Sequence, residues 1–334
     1  RSSERTWQAY IQKPTGLFSP RTEKEREMKE NSLEFLRAEG ISERLIEELR
    51  AFRSYYHLDE AEAVRVPEPL YPYYGREVWE EAIGALLAGE HLLLTGGKAS
   101  GKNVLAEGLA AAFGRPLWDI SLYVNADAAS LIGTDTFRDG AVQLRKGPVL
   151  RAAECGGFGI LDEINMAKNE SLAVLHAALD FRRVIDIPGY ERVCLHEATR
   201  FIGTMNYGYA GTRELNEALA SRFLVIQMPV IPLADVKRLL SGKYPNLRPE
   251  YATQFAELFD EIRKKSEGGE ITSRALDLRG LIAAIGMMER GLSPVRALRL
   301  GIVNKCFDSY EQTLVSDLVA TRLPESLEAG RVFA

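Results

Sequence analysis

Cysteine is scarce in this chain. Cys155, Cys194 and Cys306 are odd in number, far apart and set among apolar neighbours. That pattern excludes a disulfide framework and reads as buried thiols in a reducing compartment. Histidine is almost as rare, and His57, His91, His176 and His196 fall into no metal-ligand spacing. No apolar run approaches the ~18 residues of a membrane span, and no stretch has the pattern of a secretory signal. The expected location is therefore cytoplasmic, without a membrane. The chain opens on Arg1 rather than on methionine, as expected of a trimmed chain with residues missing upstream. A basic excess is also lacking: 42 Lys and Arg stand against 47 Asp and Glu, a net charge of −5. This disfavours a surface made for nucleic acid and leaves room only for a local patch. Internal repeats and low-complexity tracts are absent too.

What is present suggests two or three domains, since 334 residues suffice for more than one core. Residues 1–66 begin with a dense mixture of both charge signs, "PRTEKEREMKE". They continue with Leu33, Phe35, Leu36, Ile41, Leu45, Ile46, Leu49 and Phe52 at roughly helical spacing, broken at Gly40. This predicts a helical N-terminal extension packed on the domain that follows. Past the Pro- and Tyr-rich boundary "VPEPLYPYYG", residues 67–230 alternate helical segments with short apolar strands. The strands are read in "HLLLTG", "PLWDISL", "FGILDEI", "RFIGTMN" and "FLVIQMP". Such alternation predicts an α/β fold with a parallel sheet flanked by helices. Residues 231–334 read as helical only. In "YATQFAELFDEIRKK", Tyr251, Phe255, Leu258, Phe259 and Ile262 line one helix face.

The chemistry starts at "LLLTGGKASGKN". A strand entering a Gly-rich turn and then a helix turns successive backbone N–H groups and a helix N-terminus toward an anion. The pattern G-x-x-x-x-G-K-[ST] is met by Gly96, Gly101 and Lys102, but Asn103 stands where Ser or Thr belongs. Lys102 would reach the outer phosphates. The strand "FGILDEIN" ends in Asp162 and Glu163, two carboxylates at the carboxyl edge of the sheet, where open α/β folds bind ligands. Asp162 suits Mg²⁺, and Glu163 suits the activation of a water. "RFIGTMN" ends in Asn206, which a strand lying between the loop strand and the acidic strand would aim at that water or at the γ-phosphate. Arg222 precedes "FLVIQMP", and Arg274 in "ITSRALDL" is read on the first turn of a helix. Each motif alone has a bland alternative; order and spacing argue for the set.

In that order the motifs resemble an AAA+ ATPase of the MoxR-like, dynein-related branch, which includes proteins of CbbQ and NorQ type. "ADAASLIGTDTFRDGAVQLRKGPVLRAAECGGFGILDEIN" is similar to that branch's insertion within the second helix and its acidic box. "FRRVIDIPGYERVCLHEATRFIGTMN" resembles its hairpin before the first sensor, with the turn at Pro188-Gly189 between Val184 and Val193. "TMNYGYAGTRELNEALASRF" resembles the passage from sensor to arginine finger. The resemblance covers about residues 68–320 and implies a P-loop NTPase core with a C-terminal all-helical lid. It implies that Gly96, Gly97, Lys98, Ala99, Ser100, Gly101, Lys102, Asn103 and Val104 bind ATP phosphates. It further implies that Asp162 and Asn103 hold Mg²⁺, that Glu163 is the base and that Asn206 is a sensor. Arg222 becomes the finger given to a neighbouring subunit, and Arg274 the second sensor. A homo-oligomeric ring, usually a hexamer, a partner with a von Willebrand A domain, and chaperone-like remodelling are implied as well.

Asn103 bears on the metal alone. Mg²⁺ demands near-octahedral oxygens at about 2.0–2.1 Å, and the Asn Oδ1 stands one bond further from the backbone than a hydroxyl. It can bind through a shifted rotamer, through a water, or leave a water in its place. Nucleotide binding is expected to survive, with slow but real hydrolysis. Two other readings remain: an assembly module in which the nucleotide joins subunits without turnover, and a nucleic-acid NTPase using Arg138, Arg145 and Lys146. A small-molecule kinase shares the loop but needs neither the finger nor the second sensor. Tyr73 and Tyr74 suit an adenine pocket or plain boundary packing equally, and the choice between ATP and GTP stays open.

Overall fold

The computed structural model describes residues 32–206 and 213–334. The charged stretch 20–30 and residues 207–212, between the sensor and finger motifs, lie outside the described residues. Among the described residues nine strands follow in chain order: β1 Leu92–Gly96, β2 Leu117–Ser121, β3 Gly133–Arg138, β4 Ala141–Lys146, β5 Phe158–Asp162, β6 Val184–Ile185, β7 Val193–Cys194, β8 Arg200–Asn206 and β9 Leu224–Gln227. Five of them form one parallel sheet in the order β2-β5-β8-β1-β9. All five expected strands are in it, and β8 does lie between β1 and β5. β1 is buried along its whole length, which is why its sequence shows no apolar-polar alternation. The other strands make two hairpins, β3–β4 and β6–β7. In the second, Tyr190 N–H bonds back to the Ile187 carbonyl at 2.9 Å across Pro188-Gly189.

Register places the site. Gly96 at the end of β1 pairs with Asn206 at the end of β8. Leu161 pairs with Gly203, so Asp162 comes beside Thr204. The ends of three parallel strands thus meet on one edge, the usual ligand edge of such sheets.

Apolar layers cover both faces. On one face the helices Arg76–Leu87 and Lys102–Phe113 bury Trp79, Ile83, Leu86, Leu109 and Phe113. The N-terminal extension joins this same cluster, with Leu33, Leu36, Ile41, Ile46, Leu49 and Phe52 all buried. Among the described residues it holds a helix over 32–38, the helix Glu43–Tyr55 and the short helix Glu60–Ala63. Gly40 separates the first two at φ +80°, where the Ile41 N–H returns to the Leu36 carbonyl and the Gly40 N–H to that of Arg37. That is a left-handed helix stop, open to glycine without a Cβ penalty. The opposite face carries Trp118, Leu150, Leu161 and Phe201. From Leu233 to Arg322 the chain is helical and has its own core around Phe255, Phe259, Leu281, Ile285 and Leu298. Among the described residues, no helix is long and apolar enough to cross a membrane.

Buried arginines tie these layers through helix ends. The last carbonyls of a helix have no partner within it. Arg53 of the extension donates to the carbonyls of Ala112 (2.8 Å) and Ala111 (3.0 Å) at the end of Lys102–Phe113. Arg115, 1% exposed, donates to the carbonyls of Gly156 (2.7 Å), Tyr56 (2.9 Å) and Cys155 (2.9 Å). Burial lowers the pKa of its guanidinium. Three charge-assisted bonds compensate for that desolvation, and removing the donor would strand buried carbonyls. Arg115→Met is expected to lower the unfolding free energy by about 2–4 kcal/mol in chemical denaturation; a loss within experimental error would deny Arg115 this joining role.

Candidate functional site

A cleft of about 390 Å³ opens between the sheet edge and the C-terminal helices. Lys98 to Val104 line one side of it, and Asp162, Glu163, Thr204 and Asn206 the floor. Asp277, Arg279 and Ile282 close it from the helical region, and Tyr71, Tyr74, Ile231 and Leu239 form an apolar end. Gly96 and Gly97 do not line the cleft; Gly97 lines a smaller cavity beside it, with Lys98, Ala99 and Ser100.

The loop is shaped by its backbone. Gly101 has φ +82°, and a Cβ there would come 3.0 Å from the Tyr73 ring. Only glycine satisfies both conditions. Ala99 also lies in the left-handed region, at φ 61°. Gly101 is the N-cap of Lys102–Phe113, so the free N–H groups of that helix's first turn face an anion site. The Lys102 ammonium donates to the carbonyls of Gly96 (3.1 Å) and Gly97 (2.8 Å) and to Ser100 Oγ (3.0 Å). Burial pulls its pKa down to about 8, while Asp162 and Glu163 act to raise it. Lys98 donates to the Ser273 carbonyl at 3.0 Å and so ties the loop to the helical region.

The acidic pair is held from three sides. Thr204 Oγ1 donates to Asp162 Oδ1 at 2.6 Å, and Asn103 Nδ2 donates to the same oxygen at 3.0 Å. A carboxylate only accepts, so the Asn103 amide must turn its nitrogen toward Asp162. That leaves Asp162 Oδ2 and Asn103 Oδ1 as oxygens with no donor among the described residues. Glu163 sits at φ 54°, ψ 48°, and its N–H donates to Thr204 Oγ1 at 3.1 Å. Asn206 Nδ2 lies 3.4 Å from Glu163 Oε1, and Asn165 Nδ2 donates to the Asn206 carbonyl at 2.9 Å. Asp162 Oδ2 and Asn103 Oδ1 are both hard oxygens of the kind Mg²⁺ takes, beside waters and substrate phosphates.

Lys102, Asn103, Asp162, Glu163 and Asn206 are therefore gathered at one place. Arg222 and Arg274 are not. Arg222 Nε donates to the His176 carbonyl at 3.0 Å, and its Nη2 lies 3.3 Å from Asp180 Oδ2, away from this chain's own cleft. Arg274 was expected on the first turn of a helix. It lies instead in a turn four residues earlier, its guanidinium 5.1 Å above the Phe307 ring. The helix is Leu278–Glu289, and its N-cap is Asp277, whose carboxylate accepts from the Gly280 N–H. Arg279, on the first turn of that helix, is the arginine that lines the cleft. Two further site residues escape the sequence reading. Thr204 was legible as the polar residue two before Asn206, hence on the same face of β8. Arg279 was legible from the apolar period Leu278, Leu281, Ile282 and Ile285, which begins only after Asp277. Tyr73 both packs and lines: it is 6% exposed, its carbonyl accepts from Trp79 Nε1 at 2.8 Å, and its ring faces the loop. Burial raises its hydroxyl to about 12.

Comparison with known proteins adds a family. The model of the AAA domain, dynein-related subfamily, matches residues 91–223. The uncharacterized protein YojN of Bacillus subtilis is 32% identical over 246 residues, covering 72% of this chain and 81% of that one. An uncharacterized protein of Staphylococcus haemolyticus is 32% identical over 250 residues, 72% of this chain and 94% of that one. One of Staphylococcus saprophyticus is 33% identical over 253 residues, with the same coverage.

The depressed lysine can be read directly. In the nucleotide-free protein, the ¹³Cε resonance of Lys102 should titrate with a midpoint near about 8. Because the Asp162 carboxylate raises that value, Asp162→Asn should move the midpoint lower. A midpoint near that of a free lysine would contradict the burial of the ammonium in the loop.

Proposed function

The chain belongs to the dynein-related subfamily of AAA domain proteins, and on that premise we propose that it binds and hydrolyses ATP. The observation that carries this reading is the meeting of Lys102, Asp162, Glu163 and Asn206 on one sheet edge, set by the register of β1, β5 and β8. In this reading the N–H groups of the loop and the Lys102 ammonium hold the β- and γ-phosphates. Asp162 Oδ2 and Asn103 Oδ1 would hold Mg²⁺, which when bound would neutralise charge on the phosphate oxygens. Glu163 takes the proton of the attacking water, and Asn206, through its amide near Oε1, keeps that carboxylate turned toward the γ-phosphate. Arg279, rather than Arg274, supplies positive charge from the lid. The nucleotide base lies at the apolar end among Tyr71, Tyr74, Ile231 and Leu239.

Arg222 does not reach its own cleft, which supports the reading in which it completes the site of a neighbour. We accordingly read the protein as a homo-oligomeric ring, a hexamer, of MoxR type. It remodels or activates a protein partner, one carrying a von Willebrand A domain. A nucleic-acid role has less support: on the β3–β4 hairpin Arg138 lies 3.6 Å from Asp139, and Lys146 pairs with Glu154 at 2.6 Å.

Three measurements test this. Lys102→Ala should lose binding of a fluorescent ATP analogue by at least about 100-fold; binding within a few-fold of wild type would remove the loop from the account. The solution mass should rise to a ring on addition of ATP and Mg²⁺, and Arg222→Ala should leave phosphate release at about 1% of wild type or less. A monomer under all conditions would refute the ring.

A further inference from the structure

We propose that Thr204 is a positioning residue of this site: its hydroxyl fixes the Asp162 side chain and the Glu163 main chain in one geometry. The residue is 1% exposed and lies in the middle strand of the sheet, so its side chain has little freedom. A threonine hydroxyl has one proton and two lone pairs. The proton goes to Asp162 Oδ1 at 2.6 Å, and one lone pair takes the Glu163 N–H at 3.1 Å. Both partners need that hold. Asp162 could otherwise rotate and offer either oxygen, whereas Thr204 and Asn103 together commit Oδ1 and leave Oδ2 toward the cleft. Glu163 occupies the left-handed region, which a β-carbon-bearing residue keeps only when its surroundings impose it. Its amide is anchored by Thr204, and its carboxylate is then carried to Asn206. A single hydroxyl therefore couples the metal-facing oxygen to the water-facing carboxylate.

The same geometry explains how Asn103 can stand in the loop. A Ser or Thr hydroxyl there can donate to the aspartate with its proton and face the metal with its lone pairs. The Asn amide divides these tasks between Nδ2, which is bonded to Asp162, and Oδ1, which is not. Asn103 and Thr204 are then two donors to one oxygen and act together.

The proposal rests on the ATP-hydrolysis reading for its rate effect but not for its metal effect, and the full chain is tested on both. Thr204→Val keeps the shape and removes the hydroxyl; Thr204→Ser restores the hydroxyl and loses a methyl. Mn²⁺ binding to the ADP-loaded protein is followed by electron paramagnetic resonance, and phosphate release is measured at saturating Mg²⁺. With Thr204→Val, Mn²⁺ affinity should fall by about 10-fold and kcat by about 10- to 100-fold. ADP affinity in EDTA and KM should stay within about 2-fold, since the loop is untouched. Thr204→Ser should recover both losses to within about 3-fold. Wild-type Mn²⁺ affinity in Thr204→Val, or equal impairment of the Val and Ser variants, would overturn the proposal. If wild type itself releases no phosphate, the hydrolysis reading fails, and the Mn²⁺ comparison still decides the role of Thr204. If the Val variant does not fold, Thr204→Ala against Thr204→Ser gives the same comparison.

Discussion

Asp162 has one oxygen to spare, because Thr204 and Asn103 both donate to the other. Much of the molecule serves to keep that arrangement. The two donors and the acceptor come from three separated segments: Asn103 from the loop helix, Thr204 from the middle strand β8, and Asp162 itself from the end of β5. They meet because Leu161 pairs with Gly203 in a parallel ladder that carries no slack. A one-residue slip would turn Thr204 and Asn206 to the opposite face of β8. Apolar layers on both sides of the sheet, with Phe158, Ile160, Phe201 and Ile202 buried, exclude that slip.

Magnitudes favour this reading of Glu163. A non-glycine residue in the left-handed region costs of order 1–3 kcal/mol. One hydrogen bond to its amide, of order 1 kcal/mol net, offsets only part of that cost. The remainder falls on the packing of Ile164 and Asn165 just beyond, both buried. The Asn165 Nδ2 bond to the Asn206 carbonyl also joins the turn after β5 to the end of β8. The extension acts at longer range: Arg53 holds the far end of the helix whose first residue is Lys102. The loop is thus braced at the helix C-terminus as well as at its own turn.

The sequence was informative where local pattern and tertiary role coincide. All five sheet strands and the helical C-terminal region follow from period; the β6–β7 hairpin was expected from the resemblance, and β3–β4 falls in the stretch likened to the helix-two insertion. The extension's apolar residues were legible too, and six of the eight are buried. Their packing on the following domain was expected; that the helices Arg76–Leu87 and Lys102–Phe113 cover them was not, because periodicity reports a buried face and not what covers it. Asn103 was visible as a departure, but the orientation of its amide depends on a neighbour about sixty residues away. Arg274 precedes the helix it was expected to open, because the cap in use is Asp277. Thr204 shares a face of β8 with Asn206, yet a β-branched residue is also what strands favour for packing alone.

The central claim, that this cleft turns over nucleotide through Glu163, is tested most directly by single-turnover phosphate release at saturating Mg²⁺. Wild type and Glu163→Gln should bind ATP with similar affinity. The account predicts release from wild type at least about 100-fold faster than from Glu163→Gln. Equal rates in the two proteins would contradict it and leave a nucleotide-binding module without turnover.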